Sequence, residues 1–72
     1  MKIEMEMIDL HGELHFVEVA LSIYGIGYQG FVHTEDENAG KIELIPVEPV
    51  DTIEEVVKAL QLAGYILADK NA

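Results

Sequence analysis

The sequence predicts a two-layer α+β fold, in which one amphipathic helix packs on one face of a mostly antiparallel sheet of four or five strands. Three observations predict it. The chain has 72 residues, 50% of them apolar, which suits a single small domain. Four strand-like segments come first, separated by glycine-rich or polar breaks, and a single helical stripe follows them. The expected order is β-β-β-β-α-β, with residues 1–68 as one domain and 69–72 as a frayed tail.

The first two strands are expected at residues 2–10 and 13–24, joined by a turn centred on His11-Gly12. In each strand the alternation of apolar side chains slips by one residue. A bulge at Phe16-Val17 would bring both apolar sets onto one face of the hairpin. The resulting register pairs Leu10 with Glu13, Met7 with Phe16, Met5 with Val19, Ile3 with Leu21 and Glu6 with Glu18.

Two more strands are predicted before the helix. Beyond a glycine bend the third covers about residues 28–33, and beyond a polar loop the fourth covers 41–46, with Ile42 and Leu44 facing inward. The prolines at positions 46 and 49 cannot donate hydrogen bonds within a sheet. They are therefore expected to end the fourth strand and to make this stretch either a sheet edge or the exit of the chain from the sheet.

The helix is predicted from residue 53 onward. Asp51 or Thr52 caps it, since each has a glutamate three residues on, as in a capping box. The apolar stripe recurs at i, i+3, i+4 and i+7 and consists of Ile53, Val56, Val57 and Leu60. Gly64 suits the left-handed position after a helix C-terminus, where the next residue folds back on the last turn. A short last strand is expected at residues 65–68.

The charge balance limits the classes of partner. Fourteen acidic residues oppose four lysines, arginine is absent, and the formal net charge is −10. Nucleic acids and anionic membranes are bound through Lys and Arg, so neither is expected as a direct partner. Cysteine is absent, which excludes a disulfide framework, a thiol nucleophile and a cysteine-based metal site. The first residues are acidic where a secretory signal would be apolar, and no apolar run is long enough to span a membrane, so a cytoplasmic location is expected.

Residues 25–32 match the glycine-rich loop pattern G-x-G-x-x-G-x-V of protein kinases. The other kinase motifs are missing from the sequence, and the expected strand after this string argues against a dinucleotide-binding turn. A bend that uses glycine for positive φ and close packing is the favoured alternative. The acidic loop that begins at Asp36 lacks EF-hand spacing, and the only serine, Ser22, has no histidine placed to activate it. We therefore expect neither an enzyme nor a cofactor.

The three histidines of the chain are candidate metal ligands: His11, His15 and His33. His11 and His15 flank the predicted turn with Glu13 between them, and imidazole with carboxylate is a donor set that suits zinc. His33 joins them only if the strand order brings it there, and the helical His-Glu-x-x-His spacing is absent from the sequence. Polar histidines at strand ends are the alternative, and no metal is predicted.

The acidic residues are the strongest remaining functional signal. One group is expected on a sheet face and another at the tip of a loop: Glu4, Glu6 and Glu18, and Glu35, Asp36 and Glu37. Such surfaces steer basic partners. The sharper form of this hypothesis is an inhibitor that mimics nucleic-acid charge towards a basic protein, of the type that phages use against host defences. The alternative is that excess acid only keeps a small apolar domain in solution.

Apolar residues outside the predicted core are candidates for an interface: Ile8, Leu10, Phe31, Ile45 and Leu62. Together with a mean hydropathy of +0.20, they favour a homodimer or a partner site, although scattered apolar side chains on a surface are also normal. The first functional hypothesis is a non-catalytic module that binds a basic protein and forms a homodimer. The alternative is an assembly subunit that uses its apolar face, and the third is a histidine-based metal protein.

Overall fold

A computed structural model describes residues 2–34 and 40–68. The elements are β1 (Lys2–Ile8), β2 (Leu14–Leu21), β3 (Tyr28–Thr34), β4 (Lys41–Val50), α1 (Ile53–Leu62) and β5 (Ile66–Leu67). All five strands form one antiparallel sheet, and α1 packs on one face of it. The predicted two-layer α+β fold is therefore confirmed.

The strand order across the sheet is β4-β3-β2-β1-β5. The predicted short last strand is present and pairs with β1, and the Ala68 amide extends the contact by donating to the Glu6 carbonyl oxygen at 3.0 Å. The chain thus returns from the helix to the far edge of the sheet, so β4 and β5 are its two edges.

The expected register of the first hairpin is wrong. The pairing of β1 with β2 is continuous, with Met5 opposite Val17 and Glu4, not Glu6, opposite Glu18. The turn between the strands is held by Asp9, whose amide donates to the Glu13 carbonyl oxygen at 3.0 Å. Glu13 is therefore paired with Asp9 and not, as expected, with Leu10. With this pairing the ladder continues without a bulge.

The continuous ladder separates the two apolar sets of β2 that the expected register placed on one face. Val17 and Val19 are fully buried beneath the helix, whereas Leu14 and Phe16 point to the opposite face and are exposed. The core consists of the following buried residues: Met7, Val17, Val19, Val32, Val56 and Leu60.

Strand β4 lies at an edge, one of the two expected alternatives, but it continues through both prolines to Val50. A register shift between Tyr28 and Gly30 takes the residues around the prolines out of the regular ladder with β3. The inward direction expected for Ile42 is wrong, because its side chain is 55% exposed. Ile45 packs against the core, so it also differs from the expectation that it lies outside.

The ends of α1 follow the sequence prediction. Thr52 is the N-cap, and its side-chain oxygen accepts a hydrogen bond from the Glu55 amide at 3.2 Å. At the other end Gly64 has φ of 100°, and the Tyr65 amide donates to the Leu60 carbonyl oxygen at 3.0 Å. This is the Schellman geometry that the glycine predicted.

The first three residues of the glycine-rich string, 25–27, lie in the loop between β2 and β3, as the bend interpretation expected, and residues 28–32 belong to β3. Gly25 and Gly27 have φ of 80° and 77°, a conformation that other residues rarely adopt. The loop is closed by Ser22, whose hydroxyl donates to the Ile26 carbonyl oxygen at 2.6 Å. Ser22 is buried and serves the loop, so it is not placed as a nucleophile.

No helix in the described part of the chain has the length and apolar composition needed to cross a bilayer. The predicted acidic loop tip and the predicted frayed tail lie outside the described residues.

Candidate functional site

The sheet has one covered face and one bare face. The helix packs over β2, β3 and β4 on one side, and no helix or strand among residues 2–34 and 40–68 covers the other. We call this second side the open face. Side chains alternate along a strand, so the register assigns them to it. Its central residues are Glu4 and Glu6 of β1, Leu14, Phe16 and Glu18 of β2, Phe31 and His33 of β3, and Ile42 and Leu44 of β4.

The part of the open face that lies over β2, β3 and β4 is largely apolar. Leu14 and Phe16 are 57% and 41% exposed, and Phe31 and Leu44 are half-buried beside them. Two large exposed side chains on a central strand are unusual, because a central strand normally places such residues in a core. This apolar area is a candidate contact surface.

The part of the open face over β1 is acidic. Glu4 lies directly across from Glu18, and Glu6 lies across from Phe16. Glu18 is held by two partners, since Lys2 Nζ lies 3.2 Å from its Oε2 and His33 Nε2 donates to its Oε1 at 2.8 Å. The hydrogen bond from His33, followed by that from Lys2, lowers the pKa of Glu18. Glu18 therefore stays ionised at neutral pH.

The two parts meet at a depression of about 310 Å³ lined by Glu6, Leu14, Phe16 and His33. The rings of Phe16 and His33 pack against each other with centroids 5.5 Å apart. An apolar floor with a carboxylate at its rim fits a long cationic side chain. The aliphatic stem of a lysine would lie on the ring and its ammonium group would reach the acid.

The apolar residues singled out in the sequence do not form one surface. Ile8 and Phe31 lie half-buried on the open face, and Ile45 is partly buried against the core on the other face. Leu62 and Leu10 are each 82% exposed but lie at other places. Leu62 lines a groove beside β4, and Leu10 lies in the first turn, against Gly64 at the end of the helix.

Four of the apolar residues that the open face displays were expected to face inward: Leu14, Phe16, Ile42 and Leu44. The sequence contained a signal for this, because Leu14 and Phe16 occupy even-numbered positions of the strand whereas Val17 and Val19 occupy odd-numbered ones. Two apolar sets of opposite parity on one strand indicate two apolar faces unless a bulge intervenes.

The predicted acidic group of the sheet is brought together, because Glu4, Glu6 and Glu18 share the open face. The acids of the predicted loop tip, Glu35, Asp36 and Glu37, lie outside the described residues.

The three histidines do not converge. His11 is exposed in the first turn, His15 is buried on the helix side of the sheet, and His33 lies on the open face. The Nδ1 of His15 donates to the carbonyl oxygen of residue 33 at 3.2 Å, and its Nε2 donates to Asp9 Oδ2 at 2.7 Å. Since both partners are oxygen acceptors, these contacts favour the imidazolium form of His15 over either neutral tautomer.

Asp9, Glu13 and His15 place three potential metal-ligand atoms within 4.8 Å of one another. Asp9 is already engaged through both oxygens, since Oδ1 accepts from the amides of His11 and Glu13 at 2.8 and 3.0 Å. A metal ion would have to displace the His15 proton and break a close ion pair. The geometry is that of a turn stabilised by a buried ion pair.

This ion pair predicts a stability maximum in mildly acidic solution. The hydrogen bond to Asp9 raises the pKa of His15 above 6.5, and the bond from His15 lowers the pKa of Asp9 to about 2. The stabilisation from His15 is complete below pH 6.5 and is lost as the pH rises through its folded pKa. That from Asp9 is complete above pH 3.8 and is lost as the pH falls towards 2. The urea midpoint should therefore fall between about pH 6 and pH 9.

Asp9→Asn is the matched variant for this measurement. Asparagine keeps an oxygen for the turn amides and can donate to a neutral His15, so the hairpin is preserved without the charge. Its urea midpoint should be lower than that of the wild type at about pH 6 and nearly constant up to about pH 9. An equal fall in both proteins would show that the pair does not cause the pH dependence.

Comparison of the chain with protein-family models, with curated proteins and with solved structures finds no match.

Proposed function

We propose that this chain is a non-catalytic protein-binding module whose open face docks a basic, partly apolar protein partner. The single observation that carries the proposal is the division of that face, where an apolar area over β2 to β4 adjoins acidic side chains on β1. Contact between such an apolar area and water is unfavourable. Binding of a partner that covers the area is therefore favoured.

The charge of the chain favours a basic partner. The net charge of −10 attracts cationic surfaces over a distance of about a Debye length and speeds their encounter. On the open face Glu4 and Glu6 add local negative charge next to the depression. A partner segment with lysine or arginine beside apolar side chains would match both parts of the face. Nucleic-acid mimicry would need a longer row of acids than Glu4, Glu6 and Glu18 provide on this face.

Non-catalytic binding is favoured because three groups with catalytic potential are engaged in structure. The hydroxyl of Ser22 closes the β2–β3 loop, His15 is paired with Asp9, and His33 is paired with Glu18. A sequence without cysteine suits a reducing compartment, where a small domain gains nothing from disulfides. We therefore propose the cytoplasm as the place where this chain meets its partner.

Self-association is the second candidate, because the same apolar area could meet its copy. Repulsion opposes it, since each copy carries a net charge of −10. In addition, Lys2 is the one lysine that the register places on the open face in the described part of the chain. Two such faces offer each other few cations. Light scattering at two protein concentrations and two salt levels distinguishes the candidates, since a dimer held by apolar contact would persist in high salt.

The double variant Leu14→Lys and Phe16→Lys is expected to weaken partner binding strongly. Both positions are exposed, so the fold should survive, but two lysines remove the apolar contact and repel a basic surface. A loss of about 30-fold in affinity corresponds to one interface hot spot of about 2 kcal/mol. The measurement is retention of proteins from the source cells on the immobilised chain, followed by titration of the retained protein.

The matched control is Ile23→Lys with Ile26→Lys, two exposed positions of the β2–β3 loop that add the same charge. The control should retain the same protein as the wild type, and retention should weaken steeply as salt is raised. Equal loss in both double variants would mean that only total charge matters. A stable dimer broken by the Leu14 and Phe16 changes would replace the proposal by self-assembly.

A further inference from the structure

The two edges of the sheet are very different in length. At one edge β5 has two residues, whereas at the other β4 has ten and pairs with no strand except β3 among residues 2–34 and 40–68. An unpaired strand edge presents a row of amide and carbonyl groups that can pair with another extended chain. Proteins usually interrupt such edges with proline, with bulges or with a covering element.

Only the second half of β4 is interrupted in this way. Pro46 and Pro49 have no amide hydrogen, and the register shift removes this half from the regular ladder. The amide group of Gln29 donates to the carbonyl oxygens of Pro46 and Val47 at 3.2 and 2.8 Å. Residues 41–45 contain no proline and pair regularly with β3, so their outer edge keeps the geometry of a template strand.

A groove lies beside this edge on the helix side. It has a volume of about 470 Å³ between β4 and the last turns of α1. The helix contributes Leu62, which is 82% exposed, and two small alanines, Ala59 and Ala63, that leave room between the elements. On the strand Ile45 extends the apolar wall and Glu43 is the charged residue of the lining.

We propose that residues 41–45 of β4 and this groove bind an extended peptide that joins the sheet as a sixth strand. Main-chain hydrogen bonds to the free edge supply affinity, and every second side chain of the peptide points into the groove. The occupant that fits carries an apolar side chain for Leu62 and Ile45, with lysine or arginine next to it for Glu43. The proposal does not depend on what the open face binds.

A second copy of the chain fits this edge less well. If residues 41–45 of two copies paired antiparallel about their centre, Glu43 of one copy would lie directly opposite Glu43 of the other. Like charges across a ladder repel each other. The interrupted half of each strand would also limit the pairing to a few residues. A separate basic segment has neither disadvantage.

The test is selection from a random dodecapeptide display library against the full-length chain. We expect peptides in which apolar residues alternate with positions that include lysine or arginine. Titration of the most enriched synthetic peptide should show affinity reduced about tenfold by Leu62→Lys. Ile26→Lys, at a loop residue that is 80% exposed, adds the same charge and should leave affinity within about twofold of the wild type.

Two further readouts identify strand addition. Methylation of alternate peptide amides should abolish binding for the set that faces β4 and leave it intact for the other set. Amide hydrogen exchange within residues 41–45 should slow when the peptide binds. The proposal is overturned if no peptide is enriched over the Leu62→Lys chain, if both methylated sets bind equally, or if slowed exchange maps elsewhere. Slow exchange of these amides in the free chain, together with a dimeric mass, would also overturn it in favour of self-pairing.

The open-face double variant separates this inference from the proposed function. Leu14→Lys with Phe16→Lys changes β2 and does not touch the groove, so the selected peptide should bind that variant as it binds the wild type. If this variant loses the protein partner but still binds the peptide, both sites are supported. If it keeps the protein partner but loses the peptide, both assignments are contradicted.

Discussion

Replacement of Gly30 by alanine is expected to lower the free energy of unfolding by about 2–3 kcal/mol. A Cβ atom at this position would lie 2.7 Å from the Ile45 carbonyl oxygen, closer than real contacts allow. It would also lie 3.2 and 3.3 Å from side-chain carbons of Val56 and Leu60. Either the β3–β4 ladder or the helix must move, because the backbone oxygen cannot rotate away. A chain of this size has about 4–10 kcal/mol in total, so the loss is large.

The matched control is Gly40→Ala. A Cβ atom at Gly40 would have no neighbour within 4 Å among residues 2–34 and 40–68, and φ of this residue is not positive. Alanine there should be neutral or slightly stabilising, by up to about 1 kcal/mol. Urea unfolding followed by circular dichroism measures both variants. Similar stability of the two alanine variants would show that the helix does not depend on the close approach at Gly30.

Replacement of Gln29 by leucine is expected to cost about 3 kcal/mol, although leucine has a similar size and is more apolar. Gln29 is fully buried, and its Oε1 accepts from the Ile23 amide at 3.2 Å while its Nε2 donates to the Pro46 and Val47 carbonyl oxygens. Leucine removes three partly buried hydrogen bonds, each of which contributes about 1 kcal/mol. The midpoint of thermal unfolding should fall accordingly.

Two variants test the cause of that loss. Gln61→Leu makes the same change on the exposed side of α1 and should alter stability by less than about 0.5 kcal/mol. Gln29→Glu keeps the shape but directs a carboxylate at two carbonyl oxygens. It should be less stable than the wild type at neutral pH and should recover partly in acid, when the carboxyl group can donate. A leucine variant as stable as the wild type would mean that water replaces the amide.

Both changes affect the way in which β4 is attached to the sheet. Gly30 lets the helix approach β3 and β4, and Gln29 ties the irregular half of β4 to the β2–β3 loop. These contacts hold residues 41–45 and the helix at the separation that forms the groove. The proposed peptide site therefore requires the contacts that Gly30 and Gln29 make.

The elements themselves could be predicted from local patterns. The helix followed from its apolar stripe, from Thr52 and from Gly64, because caps and a 3.6-residue period are properties of a single segment. The edge position of β4 was one of the two alternatives that its prolines allowed, and the loop at the start of the glycine-rich string followed from the demand for positive φ at Gly25 and Gly27.

The candidate site could be predicted only in part. Glu4, Glu6 and Glu18 were expected on one face because acids alternate with apolar residues along the strands. The apolar side of the same face was missed, since the bulge inferred at Phe16-Val17 turned Leu14 and Phe16 inward. A shift of one residue exchanges the two faces of a strand, and the shift depends on how the turn closes. Here Asp9 decides it through bonds to Glu13 and His15.

The fold class, the helix with its caps, the acidic charge and the exclusion of arginine- or cysteine-based chemistry could all be read from the amino-acid sequence. These depend on composition or on residues close together along the chain. Four features became known only from the three-dimensional arrangement: the hairpin register, the packing of Ile45 against the core, the path of β4 through its prolines and the separation of the three histidines. The physical reason is that each of these depends on contacts between distant segments, where the bonds of Asp9 and Gln29 select one arrangement among several that the local pattern allows.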